Sequence, residues 1–287
     1  MGFPAGRGSG GPGRPRILFR AYDEPTGGQG STNGGRTISG TETRAETEAE
    51  PAAGREGAAA EFLGALLIPG IEVVESFRDP DHVAGLFPEE AALVAGAVDK
   101  RRREFATVRA CARTALGRLG VAPAPILPGQ RGAPQWPAGV IGSMTHCEGY
   151  RAAAVARAAD VLTVGVDAEV HAPLPNDGVR GLITRPEEHG PLARLAAARP
   201  GVHWDRLLFS AKESVYKAWF PLTTMWLDFQ DAVLDLAADA SGTEGTFRAR
   251  ILDPAPLRAA TGGRLSGFEG RWAVRDGLVV TAISVPR

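Results

Sequence analysis

Val164-Gly-Val-Asp-Ala-Glu169 and Phe209-Ser-Ala-Lys-Glu-Ser-Val-Tyr-Lys217 are the two stretches on which the reading of this chain turns. The first alternates. Leu162, Val164, Val166 and Ala168 fall on one side of a strand, and Gly165, Asp167 and Glu169 on the other, so two carboxylates project from one face. The second has Ala211, Val215, Ala218, Trp219 and Leu222 at three- and four-residue spacing, which predicts a helix that Pro221 should end. Glu213 and Lys217 then lie one turn apart. Taken singly, each feature has an ordinary explanation: an i,i+4 surface pair contributes only ~0.3–0.5 kcal/mol, and Asp-x-Glu often ends a solvated strand. Together they supply three carboxylates and two lysines, Lys212 and Lys217, from two elements. Mg²⁺ takes oxygen ligands, commonly one or two carboxylates plus waters and substrate phosphates, so the set suits a metal that holds a phosphorylated substrate.

Outward from this pair, periodicity predicts a helix over 58–67, a strand over 71–76 and helical sequence over 89–119 with a break before Gly120. A Pro/Gly-rich loop follows over 123–137. Strands are expected at 140–143 and 151–156 around a turn at Glu148-Gly149, then at 161–169, and helices at 186–199 and 205–220. Further strands are expected near 232–236, 247–252, 270–274 and 278–284. Helices mixed with hairpins in this order indicate an α+β fold rather than a doubly wound sheet.

The chain has 287 residues, 44% of them hydrophobic, enough for one large or two small domains with a buried core. Its net charge of -1 disfavours a protein that coats nucleic acid. Cys111 and Cys147 form neither a disulfide framework nor a metal-ligand spacing, which fits a reducing cytoplasm. Cys147 beside His146 is a weak nucleophile-base candidate, because sequence neighbours rarely have that geometry. No stretch approaches the ~18–20 apolar residues that span a membrane. Residues 1–58 are rich in Gly, Ser, Thr, Arg and Glu and read as a disordered extension, too poor in apolar surface to offset their chain entropy.

Four segments in order resemble a known family, the bipartite 4′-phosphopantetheinyl transferases of the surfactin-synthetase-activating and enterobactin-synthetase-activating type. Gly165-Val-Asp-Ala-Glu169 is similar to the family's Gly-(Ile/Val)-Asp-x-Glu strand, and Phe209 to Lys217 to its Lys-Glu-x-x-x-Lys helix. Gly132-Ala-Pro-Gln-Trp-Pro-Ala-Gly-Val-Ile-Gly-Ser-Met-Thr-His146 resembles the segment that leads into its Ser-x-(Ser/Thr)-His, and Lys100-Arg-Arg-Arg-Glu-Phe105 through Arg109 its basic helix. The likeness runs from about residue 80 to the C-terminus. It implies two similar α+β subdomains in pseudo-twofold arrangement, 59–160 and 161–287, with coenzyme A in the cleft between them.

The reaction so implied moves the 4′-phosphopantetheine arm of coenzyme A to a serine of an acyl or peptidyl carrier protein and releases adenosine 3′,5′-bisphosphate. Asp167, Glu169 and Glu213 become the ligands of Mg²⁺, with Mn²⁺ as an alternative, and Glu213 a candidate base for the carrier serine. Lys217, and Lys212 at the cleft edge, become phosphate cations. Ser143 and His146 become contacts to a coenzyme A phosphate. Arg101 and Arg109, eight positions apart and so within ~80° of each other on a helix, become the 3′-phosphate contacts. Relatives commonly carry a lysine in the loop Leu127-Pro-Gly-Gln-Arg-Gly-Ala-Pro134; this chain has Pro128 and Ala133, and Arg131 is the compensating cation.

Tyr216, Trp219, Trp226 and Phe229 read mostly as core. His171 lies in an expected loop and is given no catalytic part. The expected partners are coenzyme A and carrier proteins of fatty acid, polyketide and nonribosomal peptide synthases, met by a monomer. Two other readings stay open: a Mg²⁺-dependent nuclease or phosphodiesterase using the 100–113 basic patch, and a non-catalytic module that binds coenzyme A or a carrier protein.

Overall fold

The computed structural model describes residues 62–79 and 85–287; the disordered extension expected over 1–58 lies outside them. A 3-10 turn at Gly64–Leu66 leads into β1 (Ile71–Ser76), α1 (Pro88–Leu93) and α2 (Asp99–Arg118). After a second 3-10 turn, Gln130–Gly132, come β2 (Val140–Cys147), β3 (Tyr150–Arg157) and β4 (Val161–Val170). The chain continues through α3 (Asp177–Ile183), α4 (Pro186–Ala198), α5 (Trp204–Thr223) and a 3-10 turn at Phe229–Asp231. It ends with β5 (Ala232–Ala238), β6 (Glu244–Ile251), α6 (Ala255–Ala260), β7 (Gly267–Arg275) and β8 (Leu278–Pro286). The strands form two antiparallel sheets, ordered β1-β3-β2 and β4-β8-β7-β6-β5, and the fold class is α+β as expected.

Each sheet carries one 20-residue helix. α2 lays Cys111, Ala112, Ala115 and Leu116 on Ala153 and Val155 of β3. α5 packs Leu207, Leu208, Ala211, Val215 and Trp219 against Phe247, Trp272, Val279 and Ile283. Each Val, Leu, Ile or Phe so buried contributes about 1.5–3 kcal/mol, several times a surface ion pair, so apolar burial orders the two halves.

β4 lies between two layers because both of its faces are used. Val164, Val166 and Ala168 join a core with Ala152, Ala154 and Ala156 of β3 and with Phe62, Leu63 and Leu66. Its other face meets α5 closely: a Cβ on Gly165 would stand 2.1 Å from Ser214 O and 2.7 Å from Ala218 N. Here glycine is required by backbone approach rather than by a turn.

β2 and β4 are edge strands of separate sheets, yet they lie side by side through side-chain hydroxyls. Val166 N–H donates to Ser143 Oγ at 3.1 Å and Ala168 N–H to Thr145 Oγ1 at 3.0 Å. Buried edge amides need partners, and these two hydroxyls supply them. Ser143, expected at a phosphate, is 3% exposed and belongs to this seam.

Other differences have local causes. Of the helix expected over 58–67, only the 3-10 turn Gly64–Leu66 lies among the described residues. Pro221 does not end α5. The helix runs two residues further to a left-handed cap at Thr224 (φ 56°), whose N–H closes the last turn on Phe220 O at 2.8 Å. α3 and α6 are short and carry too few turns for a periodic signal.

Gly165→Ala should lower the unfolding free energy by about 1–3 kcal/mol, the cost of overpacking a filled contact. Urea unfolding checks this, and an unchanged midpoint would show that β4 and α5 separate without cost.

Candidate active site

Arg206, Ser210, Glu213 and Lys217 occur at i, i+4, i+7 and i+11, one stripe of α5. The stripe faces the odd-numbered residues of β4 in reverse order. Thr163 Oγ1 donates to Ala218 O at 2.8 Å, Gly165 makes the close approach, and Asp167 and Glu169 reach the polar side chains beyond it. Asp167 accepts from Lys217 Nζ at 2.8 Å, Ser210 Oγ at 2.8 Å and Thr145 Oγ1 of β2 at 3.3 Å. Lys217 also donates to Val166 O at 3.0 Å. One carboxylate therefore ties α5, β4 and the other half's β2 together.

Glu213 is the outlier of the stripe. It is 1% exposed, and neither carboxylate oxygen has a hydrogen-bond partner among the described residues. Burial, then the neighbouring Asp167, push its carboxyl well above the usual range, with Lys217 opposing and Glu169 adding to the rise. Such a group costs free energy unless protonated or met by a cation. Of the three expected ligands, Asp167 is paired with Lys217 and Glu169 with Arg206 at 3.0 Å. Among the described residues, no three His, Cys, Asp or Glu side chains converge in metal-ligand geometry. The three carboxylates are thus neighbours, not a preassembled cage.

From the first half, β2 brings His146 beside Thr145, and α2 brings Arg101 to it, with Nη1 3.1 Å from His146 Nε2. Guanidinium only donates, so Nε2 accepts, and a neutral ring then carries its proton on Nδ1, which lies 3.9 Å from Glu104 Oε2. Glu104 is itself held by Arg151 at 3.3 Å. Arg101 and His146, each expected at a coenzyme A phosphate, are thus brought into contact with each other.

Arg109 is placed differently. It is 3% exposed, its guanidinium stacks 3.2 Å from the Phe105 ring centroid, and its Nε donates to Ile126 O at 3.1 Å. Glu90 Oε1 lies 3.7 Å from the same nitrogen. The expected phosphate fork is here a packing element between α2, α1 and the following loop. Arg131, at φ 53°, crosses to the other half, with its guanidinium 5.1 Å from the Trp226 ring centroid. Tyr216 stands near both Arg131 and Glu213: burial pushes its hydroxyl up to about 12, Arg131 opposes and Glu213 adds. Tyr216, Trp219 and Phe229 are core, whereas Trp226 is 39% exposed.

Lys212 is the clearest correction. Its Nζ lies within 3.0 Å of Ile183 O, Glu188 Oε2, Phe229 O and Ala232 O, so three N–H donors meet four oxygens and none is left for a phosphate. Burial pulls the ammonium below the ordinary lysine range, with Glu188 opposing. One position along a helix turns a side chain by ~100°, which separates Lys212 from the stripe that holds Glu213. Sequence reasoning missed Thr145, Ser210, Arg206 and Glu104. The i, i+4, i+7, i+11 run of polar residues along α5 would have found Arg206 and Ser210.

Lys212→Met should cost about 3–5 kcal/mol of stability by leaving the buried Glu188 without its cation, and leave coenzyme A affinity unchanged in the folded fraction. Unfolding curves and calorimetry check the two halves of this; weaker affinity at full stability would return Lys212 to the cleft.

Comparison with known proteins bears on both halves of this geometry. Residues 89–156 match the 4′-phosphopantetheinyl transferase N-terminal domain, and residues 163–270 match the 4′-phosphopantetheinyl transferase superfamily. The chain is 62% identical over 224 residues to the 4′-phosphopantetheinyl transferase Svp of Streptomyces mobaraensis, covering 77% of this chain and 88% of that one. It is 50% identical over 225 residues to PptT of Mycobacterium tuberculosis (78% and 96% covered) and 44% identical over 226 residues to Npt of Nocardia iowensis (78% and 99%). The β2–β4 seam and the α5 stripe both lie within the matched residues, and the chain belongs to the 4′-phosphopantetheinyl transferase family.

Proposed function

We propose that transfer of the 4′-phosphopantetheine arm from coenzyme A to a carrier-protein serine takes place where α5 faces β4, between subdomains 59–160 and 161–287. The observation that carries this placement is the buried Glu213, whose oxygens have no hydrogen-bond partner among the described residues, beside the Asp167–Lys217 pair. Carboxylate oxygens suit Mg²⁺ or Mn²⁺, and a cation would offset the desolvation of Glu213. Asp167, Glu213 and Glu169 would hold it. Bound there, a divalent cation neutralises the pyrophosphate and polarises the phosphorus under attack.

In the transfer, the carrier serine Oγ bonds to the phosphorus that bears the pantetheine arm. The bond from that phosphorus to the bridging oxygen breaks, and adenosine 3′,5′-bisphosphate leaves. Glu213 takes the serine proton, a role open to a carboxylate within hydrogen-bond reach of the carrier serine. Lys217 has two of its three N–H donors on Val166 O and Asp167, which leaves one for a phosphate oxygen. Arg101 is the 3′-phosphate cation, with His146 accepting from its Nη1 and so setting its direction. Arg131 is the second cation, carried across from the first half on its loop.

The carriers on this reading are those of fatty acid, polyketide and nonribosomal peptide synthases, and the enzyme is a monomer because one chain supplies both halves of the site. Two buried free cysteines suit the reducing cytoplasm. Among the described residues no helix is long and apolar enough to cross a membrane.

Glu213→Gln should reduce transfer by at least ~10²-fold, on the scale of a lost charge-stabilising group, with coenzyme A binding retained. Glu213→Met should stabilise EDTA-treated protein by about 1–3 kcal/mol, since a buried polar group without a partner is replaced by an apolar side chain. Full activity in a carrier-loading assay would remove Glu213 from the chemistry. Arg101→Ala should raise the coenzyme A requirement ~10-fold or more, the loss of a charge-assisted contact of about 1.5–3 kcal/mol. Dephospho-coenzyme A should be little affected; an equal effect on both would place Arg101 elsewhere than at the 3′-phosphate.

A further inference from the structure

Arg206 lies two turns before Glu213 on the same stripe of α5, and all three arms of its fork are engaged. Nη1 donates to Glu169 Oε2 at 3.0 Å, Nε to Ala172 O at 3.2 Å and Nη2 to Pro173 O at 2.9 Å. The side chain is 15% exposed and Glu169 9%. The short segment that Arg206 grips is pinned from two other directions. His171 N–H donates to Gly277 O at 2.8 Å in the β7–β8 turn, and His171 Nε2 accepts from His203 N–H at 3.0 Å just before α5.

A guanidinium fixed by two carbonyls of one segment is a rigid donor, because its planar fork cannot turn without losing both. Through it, one oxygen of Glu169 is tied to the helix that bears Glu213 and Lys217. The two faces of the site are thus joined twice: Asp167 to Lys217 and Ser210 at one level, Glu169 to Arg206 at the next.

Resting on the cation reading above, we propose that Arg206 is a positioning residue: it orients Glu169 toward the cation by holding one carboxylate oxygen. Outer partners of this kind commonly change metal affinity 10–100-fold when removed. A fork that instead competed with the cation for Glu169 would have the opposite effect, since its removal would strengthen binding. Arg206 meets Glu169 Oε2 through Nη1 while Nε and Nη2 hold Ala172 O and Pro173 O, a grip that favours orientation over competition.

The test is Mn²⁺ binding to the full chain, followed by electron paramagnetic resonance in the presence of coenzyme A and without carrier protein, so that no turnover is involved. Arg206→Gln should weaken Mn²⁺ binding ~10–100-fold with coenzyme A affinity and near-ultraviolet circular dichroism preserved. Arg206→Lys, which keeps the charge but cannot make all three contacts, should show a smaller loss and serves as the readout if the glutamine variant fails to fold. Unchanged or tighter Mn²⁺ binding in a folded variant overturns the positioning role while leaving the cation site intact. Absence of Mn²⁺ binding by the unaltered protein overturns the cation reading and this inference with it.

Discussion

The buried carboxylate of Asp167 is the point from which this architecture is held. It accepts hydrogen bonds from α5 through Ser210 and Lys217, and from β2 of the other half through Thr145. Removing a charge from water is costly unless every lone pair is met, so the presence of this anion between the halves dictates what surrounds it. Lys217 must lie inward, Thr145 must stand on the edge of β2, and the helix must approach β4 closely. That approach requires Gly165. Thr145 in turn accepts from Ala168 N–H, so the seam that joins the sheets and the site that lies in it share one hydroxyl.

The same arrangement leaves Glu213 without a hydrogen-bond partner among the described residues while Asp167 and Glu169 have theirs. Stability alone would favour a smaller or apolar residue at that position. Functional sites often retain groups that the fold would be more stable without, and here the unmet carboxylate lies beside two others and a lysine. Its raised proton affinity and its suitability for a hard cation have a single physical origin in burial beside Asp167. On the proposed reading, ligand and base roles therefore converge on one side chain.

Much of this was legible in the sequence, and the exceptions are instructive. The alternation over 164–169 correctly separated the core face of β4 from its carboxylate face, whereas a register shift between Val161 and Thr163 puts Val161 rather than the expected Leu162 in that core. Glu148-Gly149 marked the β2–β3 hairpin because a two-residue turn demands a residue at positive φ, and Gly149 has φ 74°. The contact between Arg101 and His146, 45 residues apart, was not legible in this way. Lys212 and Arg109 were misplaced for a common reason: a long cation is read as solvent- or ligand-facing, whereas Glu188 and Glu90, distant in sequence, draw these two into the protein. Such tertiary pairing leaves no periodic signal. The part of Ser143 in the seam was not legible, because nothing local shows that its hydroxyl meets the N–H of Val166, 23 residues on.

The central claim is that these two faces catalyse arm transfer with a divalent cation. Its most direct test is the intact mass of an apo carrier protein after incubation with this chain, coenzyme A and Mg²⁺. The account predicts a gain of one phosphopantetheine arm that is lost with EDTA and lost when the carrier's acceptor serine is alanine. Transfer that persists at full rate after removal of all divalent cations would contradict it, because Asp167, Glu169 and Glu213 would then have no cation to hold.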